Sequence, residues 1–200
     1  AVAHLPMMEP VDNPLTQDAR VSAIVPTYNR AAFIGECLDS LLAQTHPLTQ
    51  LIVVDDGSTD DTPTFVARFG HRVQYLRKDN GGKAAALNFA LSHVNGDYVW
   101  IFDDDDVALP ESLGLRLAPF RADPKLGFVY SSHYLGVSGP DGRIVRKQLY
   151  PMPRVDERDL VAAVIDSCFF SHPSLLVRTQ CYREVGGFNE AFARGQDYEM

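Results

Sequence analysis

From Val21 onward, short β-branched apolar runs alternate with stretches whose apolar residues recur at helical spacing. That alternation predicts βα units feeding a largely parallel sheet. Residues 21–26 form the first expected strand. A helix over 31–44 follows, with Ile34, Leu38, Leu41 and Leu42 on its packed face and Glu36 and Asp39 on its wet face. The continuous apolar run 51–54 fits a strand covered on both sides, and Pro63 opens the next helix. Residues 73–77 predict a third strand, Asp79-Asn80-Gly81-Gly82 a turn, and 83–93 an Ala-rich helix. A fourth strand, 98–102, runs into the aspartates 103–106, and Pro110 opens a helix over 111–120.

Beyond Gly127 the texture changes. Residues 128–135 and 143–150 flank Gly139-Pro140-Asp141-Gly142 and predict a hairpin. An amphipathic helix is expected over 156–165, a short strand over 174–178, and a helix over 179–185 closed by Gly186-Gly187. The fold class is therefore α/β: a single open, mostly parallel sheet flanked by helices, with a mixed, hairpin-containing second half. Residues 1–20, with Pro6, Pro10 and Pro14, read as an extended N-terminal arm before a domain over 21–200.

Composition narrows the function classes. Two hundred residues with 46% hydrophobic and 22% charged side chains can bury a core. Lys and Arg number 18 against 26 Asp and Glu, a net charge of −8 with no basic cluster, which argues against a nucleic-acid partner. No stretch approaches the roughly 20 apolar residues needed for a membrane span, and the start lacks a signal-peptide pattern. Cys37, Cys168 and Cys181 are odd in number and far apart, the usage of a reducing compartment. The expected setting is cytoplasmic.

In open α/β sheets ligands bind beyond the carboxyl ends of the strands. Three such ends are strongly polar here: residues 26–30, residues 55–58 and the aspartates 103–106. Gathered on one rim, these acids repel unless some protonate or a cation intervenes, and a hard divalent ion is the simpler solution. Mg²⁺ or Mn²⁺ takes only one or two protein carboxylates while diphosphate oxygens and waters complete its shell. In an extended run, Asp103 and Asp105 would face one way and Asp104 and Asp106 the other. That division points to Asp105 for the metal and Asp104 for a sugar hydroxyl. An isolated tetra-aspartate is also an ordinary solvated turn; its place after a buried strand, with a second acidic strand end upstream, argues otherwise.

Val25-Pro-Thr-Tyr-Asn29, Val54-Asp-Asp-Gly-Ser58, Asn80-Gly-Gly before a helix with Asn88, Gly96-Asp-Tyr, and Asp106-x-x-x-Pro110 occur in this order. Together they resemble the inverting family 2 nucleotide-sugar glycosyltransferases of the GT-A fold. The resemblance runs from about Val21 to Met200. It implies a nucleotide-binding half over 21–106 and an acceptor and catalytic half over 107–200. It also implies a nucleoside-diphosphate sugar donor, UDP- or dTDP-linked by preference, and a carbohydrate or other hydroxyl acceptor. By that similarity Pro26, Thr27, Tyr28, Asn29 and Asp56 lie at the nucleotide, with Thr27, Tyr28 and Asp56 on the base. Asp103 and Asp104 lie at the nucleotide too, Asp104 at the ribose, and Asp105 takes the metal. Lys83 is either a phosphate ligand or an ordinary exposed lysine of a first helical turn. His172 falls where the resemblance places a polar residue near the phosphates, a further metal candidate beside the reading of a histidine hydrogen-bonded for structure. Gly186-Gly-Phe-Asn-Glu190 followed by Gly195-Gln-Asp197 resembles the segment that delivers the family's base, which implies that role for Asp197. Family members continue past the base, which implies a fragment of a larger enzyme. The rival expectation is a module that binds the sugar nucleotide without transferring the sugar.

Overall fold

The computed structural model describes residues 19–139, 143–155, 159–167 and 169–192. Strands β1 (Val21–Thr27), β2 (Gln50–Asp55), β3 (Gln74–Arg77) and β4 (Tyr98–Ile101) alternate with helices α1 (Ile34–Leu42), α2 (Thr62–Ala67) and α3 (Lys83–Leu91). Helix α4 (Ser112–Ala122) and strands β5 (Phe128–Tyr130), β6 (His133–Ser138) and β7 (Ile144–Tyr150) come next. Helix α5 (Leu160–Asp166), strand β8 (Leu175–Arg178) and helix α6 (Thr179–Val185) follow, with single 3₁₀ turns at Gly70–Arg72 and His172–Ser174.

The main sheet has the order β3-β2-β1-β4-β8-β5. Its first four strands are parallel, and β8 runs antiparallel between β4 and β5. Strand periodicity sorts the core into two layers. Ala23, Val25, Leu51, Val53 and Trp100 face α1 and α4, meeting Ile34, Leu38, Leu41, Leu113 and Leu117. Ile24, Ile52, Val54, Val99 and Ile101 face the other way, onto Ala84, Ala86, Leu87 and Ala90 of α3 and Tyr182 of α6. Burial on both faces explains why these strands read as unbroken apolar runs.

Three expectations are corrected. The stretch 128–135 is two strands, not one hairpin arm: Phe128–Tyr130 pairs with β8 in the main sheet, and only β6 pairs with β7 in a separate two-stranded ribbon. The half-buried side chains of β5 gain a sheet neighbour, whereas β6 and β7 stand largely exposed. The helix expected over 156–165 appears as α5 and buries no residue; Val161 and Ile165 are exposed. The aspartate run is not extended, because the Asp106 amide donates to the Asp103 carbonyl at 3.2 Å and closes a turn. Among the described residues, no helix is long and apolar enough to cross a membrane.

Candidate functional site

Strand β1 lies between β2 and β4, so the chain runs from it through β2 and β3 toward one edge of the sheet and then crosses to β4 on its other side. A crevice opens at such a switch point, beyond the carboxyl ends of the strands. Here it is a cleft of about 430 Å³. Pro26, Thr27, Tyr28 and Arg30 line it from the end of β1, Asp56 from the end of β2, and Asp103, Asp104 and Asp105 from the end of β4. Lys83 and Ala86 of α3 form its remaining wall.

Local chemistry aims each side chain. Asp55 is fully buried, accepts the Ser58 amide at 2.7 Å and a hydrogen bond from the Tyr75 hydroxyl, and so closes the turn after β2. Gly57 completes that turn at φ +83°, with the Asn80 amide only 3.0 Å from where a Cβ would sit. The next carboxylate, Asp56, accepts Lys78 Nζ at 3.0 Å and the Gly81 amide at 2.9 Å on Oδ1, and the Gly82 amide at 2.7 Å on Oδ2. These donors fix its orientation, and Oδ2 keeps capacity to accept a further N–H. Tyr28 is 47% exposed at the mouth of the cleft, an aromatic face open for stacking.

Asn29 does different work. Its side-chain oxygen accepts the Thr59 amide at 2.7 Å and the Asp60 amide at 3.2 Å, and its own amide donates to Ser58 Oγ. It adopts φ +54° and clamps the two strand-end loops together without lining the cleft.

The turn at 103–106 brings three consecutive carboxylates to the cleft, in place of the expected alternation. Asp104 is buried, and burial pushes its carboxyl up to about 6, against the pull of the Thr27 hydroxyl and Arg30. Asp103 receives Lys83 Nζ at 2.7 Å. The Arg30 guanidinium approaches Asp104 at 3.9 Å and Asp105 at 3.6 Å, too far for direct hydrogen bonds. Asp106 turns away and lines a small pocket with Glu36, Cys37 and Ile144. A crowded oxygen-only donor set with a half-exposed member, Asp105, suits a hard divalent cation. Among the described residues no cluster of three or more His, Cys, Asp and Glu side chains is arranged to enclose a metal, so carboxylates here would share it with ligand oxygens.

Two cations, Arg30 and Lys78, carry roles at the cleft that their place in the sequence does not reveal. Arg30 closes the first polar strand end, and Lys78 precedes the Asp79–Gly82 turn; only the fold shows that both reach the acidic rim. His172 is buried, its ring 5.7 Å from that of Phe188, and is not part of the cleft wall. Asp197 and Cys168 lie outside the described residues.

Comparison with known proteins follows the same outline. Residues 22–179 match the family described as Glycosyl transferase family 2. An uncharacterised glycosyltransferase of Rickettsia typhi is 31% identical over 194 residues, covering 92% of this chain and 58% of that protein. The hyaluronan synthase of Pasteurella multocida is 32% identical over 192 residues, covering 94% of this chain and 19% of the synthase. Among solved structures, the mannosyltransferase PcManGT from Pyrobaculum calidifontis, in complex with GDP-Man and Mn²⁺, has a TM-score of 0.66 at 27% identity. That match covers 90% of this chain and 51% of the other. TarS of S. aureus in complex with UDP-GlcNAc has a TM-score of 0.64 at 25% identity, with 90% and 51% covered. The chain thus spans 58% of the Rickettsia typhi relative's length and 30% or less of some other Rickettsia relatives.

Proposed function

The chain belongs to glycosyl transferase family 2 and carries the GT-A fold, and from that premise we propose that it moves a sugar from a nucleoside-diphosphate donor to an acceptor hydroxyl with inversion. The supporting observation is the convergence of Tyr28, Asp56, Lys83 and Asp103–Asp105 from separate segments on one cleft. Its volume lies in the range of small-molecule sites. Tyr28 stacks on the base, and the anchored Asp56 carboxylate accepts a base N–H. Asp104 accepts from ribose hydroxyls, and Lys83 exchanges Asp103 for phosphate oxygen. Similar solved structures hold UDP-GlcNAc, or GDP-Man with Mn²⁺, which supports a sugar-nucleotide ligand here. UDP- and dTDP-sugars are the preferred donors.

Asp105, with Asp103 beside it, would hold Mg²⁺ or Mn²⁺; once bound, such an ion supplies positive charge to the departing diphosphate. The chain's own step is proton removal. As the acceptor oxygen bonds the anomeric carbon, the bond from that carbon to the phosphate oxygen breaks, its electron pair leaves with the diphosphate, and the acceptor proton passes to Asp197. No acid need protonate the leaving group, unlike the alcohol expelled by an inverting glycosidase.

A thermal-shift and calorimetric panel of nucleoside diphosphates, with and without Mn²⁺, tests the donor site. Uridine or thymidine diphosphate should bind, more tightly with Mn²⁺, and Asp105→Asn should erase the Mn²⁺ enhancement; binding indifferent to base and metal sinks the assignment. Asp197→Asn should abolish turnover and leave donor affinity nearly intact. Full turnover in that variant removes Asp197 from the mechanism.

A further inference from the structure

Asn88 projects from the second turn of α3, a helix otherwise built largely of alanine and leucine. Both ends of its amide engage a single residue: Nδ2 donates to the Phe188 carbonyl at 2.8 Å, and the Phe188 amide donates to Oδ1 at 2.8 Å. Nδ2 also reaches Glu190 Oε1 at 2.9 Å. The paired bonds reproduce a strand-like exchange with the backbone of Phe188, whose ring is buried between Tyr182 and His172. Gly187 lies at φ +81°, and a Cβ there would sit 2.6 Å from Asn88 Oδ1, so the close approach itself requires glycine.

The same helix has its other end in the cleft. The Gly81 and Gly82 amides preceding it bind Asp56, and Lys83 in its first turn binds Asp103. Gly82 and Asn88 are separated by about 9 Å of helix axis, at ~1.5 Å rise per residue. One short rigid rod therefore grips the donor-side carboxylates at one end and the segment that continues toward Asp197 near the other. We propose that Asn88 is a positioning residue, fixing the entry of the base-bearing segment relative to the bound donor. The proposal rests on Asp197 being the base.

Asn88→Ala tests it in the full chain, with UDP, Mn²⁺ and UDP-GlcNAc as probes. Amide exchange should accelerate over 186–192 while α3 and the Gly81–Gly82 amides keep their protection. UDP affinity should change less than about twofold, and nucleotide release from UDP-GlcNAc should fall roughly 10- to 100-fold, the scale of a small misplacement of a reacting group. Asn88→Asp retains the acceptor for the Phe188 amide but repels Glu190; adding Glu190→Gln should restore part of the rate and protection. That pair decides the matter if the alanine variant fails to fold. Unchanged exchange over 186–192, or losses of helix protection and UDP affinity in step with the rate, overturns the proposal. Wild-type turnover in Asp197→Asn would instead defeat the base assignment, an outcome that the Asn88 exchange pattern does not mimic.

Discussion

The acidic rim carries its charge at an energetic cost that a single carboxyl reveals. Asp104 ionises at about 6 in the folded chain because burial disfavours its charged form, whereas an unfolded aspartate ionises near 3.8. The folded state therefore binds the proton more tightly, and the stability this contributes is fully present below pH ~3.8 and lost as pH rises through ~6. The shift corresponds to on the order of 3 kcal/mol. Asp104→Asn should raise the melting temperature of the ligand-free protein near pH ~7 and flatten its pH dependence between ~4 and ~6.5. Chemical unfolding across that range checks this; an unaltered pH profile would show that Asp104 is not the buried proton acceptor. At the same scale, Asp55 and Asp56 look interchangeable in sequence, yet one closes a turn and the other faces the cleft. Consecutive residues leave a strand end in opposite directions, and only the turn that follows decides which is which.

Among elements, α4 and the 3₁₀ turn His172–Ser174 are joined by a buried cation. Arg116 donates to the carbonyls of Ser112, Pro173 and Ser174 and lies over the ring of Trp100, 5.1 Å from its centroid. Burial lowers its pKa to about 10, which still leaves it charged at neutral pH. Trp100 Nε1 adds a bond to the Pro173 carbonyl at 2.9 Å, so its role is packing and anchoring rather than a platform for sugar. Arg116→Ala should cost about 1–3 kcal/mol in urea unfolding, since it takes a charged donor from the Pro173 and Ser174 carbonyls, which keep only Trp100 Nε1 and the Ser131 amide, and removes the packed stem. Arg116→Lys should recover only part, because a point ammonium cannot span three carbonyls as a planar fork does. The β6–β7 ribbon is held differently, through Glu36 of α1, whose carboxylate accepts the Ile144 amide at 3.1 and 3.3 Å. Glu36→Ala should deprotect the Ile144 amide in hydrogen exchange without disturbing β1–β4; retained protection would show that the strand pairing alone orders the ribbon.

For the whole molecule, the cleft exists because strands distant in sequence end at one edge. Ligand binding to the folded state alone raises stability by about 2.7 kcal/mol at a concentration near 100 times Kd. For a chain of this size that is roughly 5–10 °C in melting temperature. Nucleotide with Mn²⁺ should produce such a shift, and Asp105→Asn should remove the metal-dependent part; an equal shift in the variant would move the cation elsewhere. The order of strands and helices through α3 was legible from periodicity alone, since doubly covered strands must be apolar on both faces and helices on one. The polar strand ends were legible as a rim for the same reason: a parallel sheet directs successive carboxyl ends to a common edge.

What remained hidden were pairings that depend on approach in space. Nothing local separates β5 from the ribbon strand after it, because two residues alone part them and the neighbour available to each sets its sheet. Arg30, Lys78 and Asn88 carry ordinary side chains whose partners lie up to about a hundred positions away. Periodicity and composition determined which segments fold and which ends are charged, since burial acts on each residue's own hydrophobicity. The tertiary structure alone decided which charges meet, which carboxylate faces inward and which cation answers it, because those outcomes turn on distances that no single stretch of chain contains.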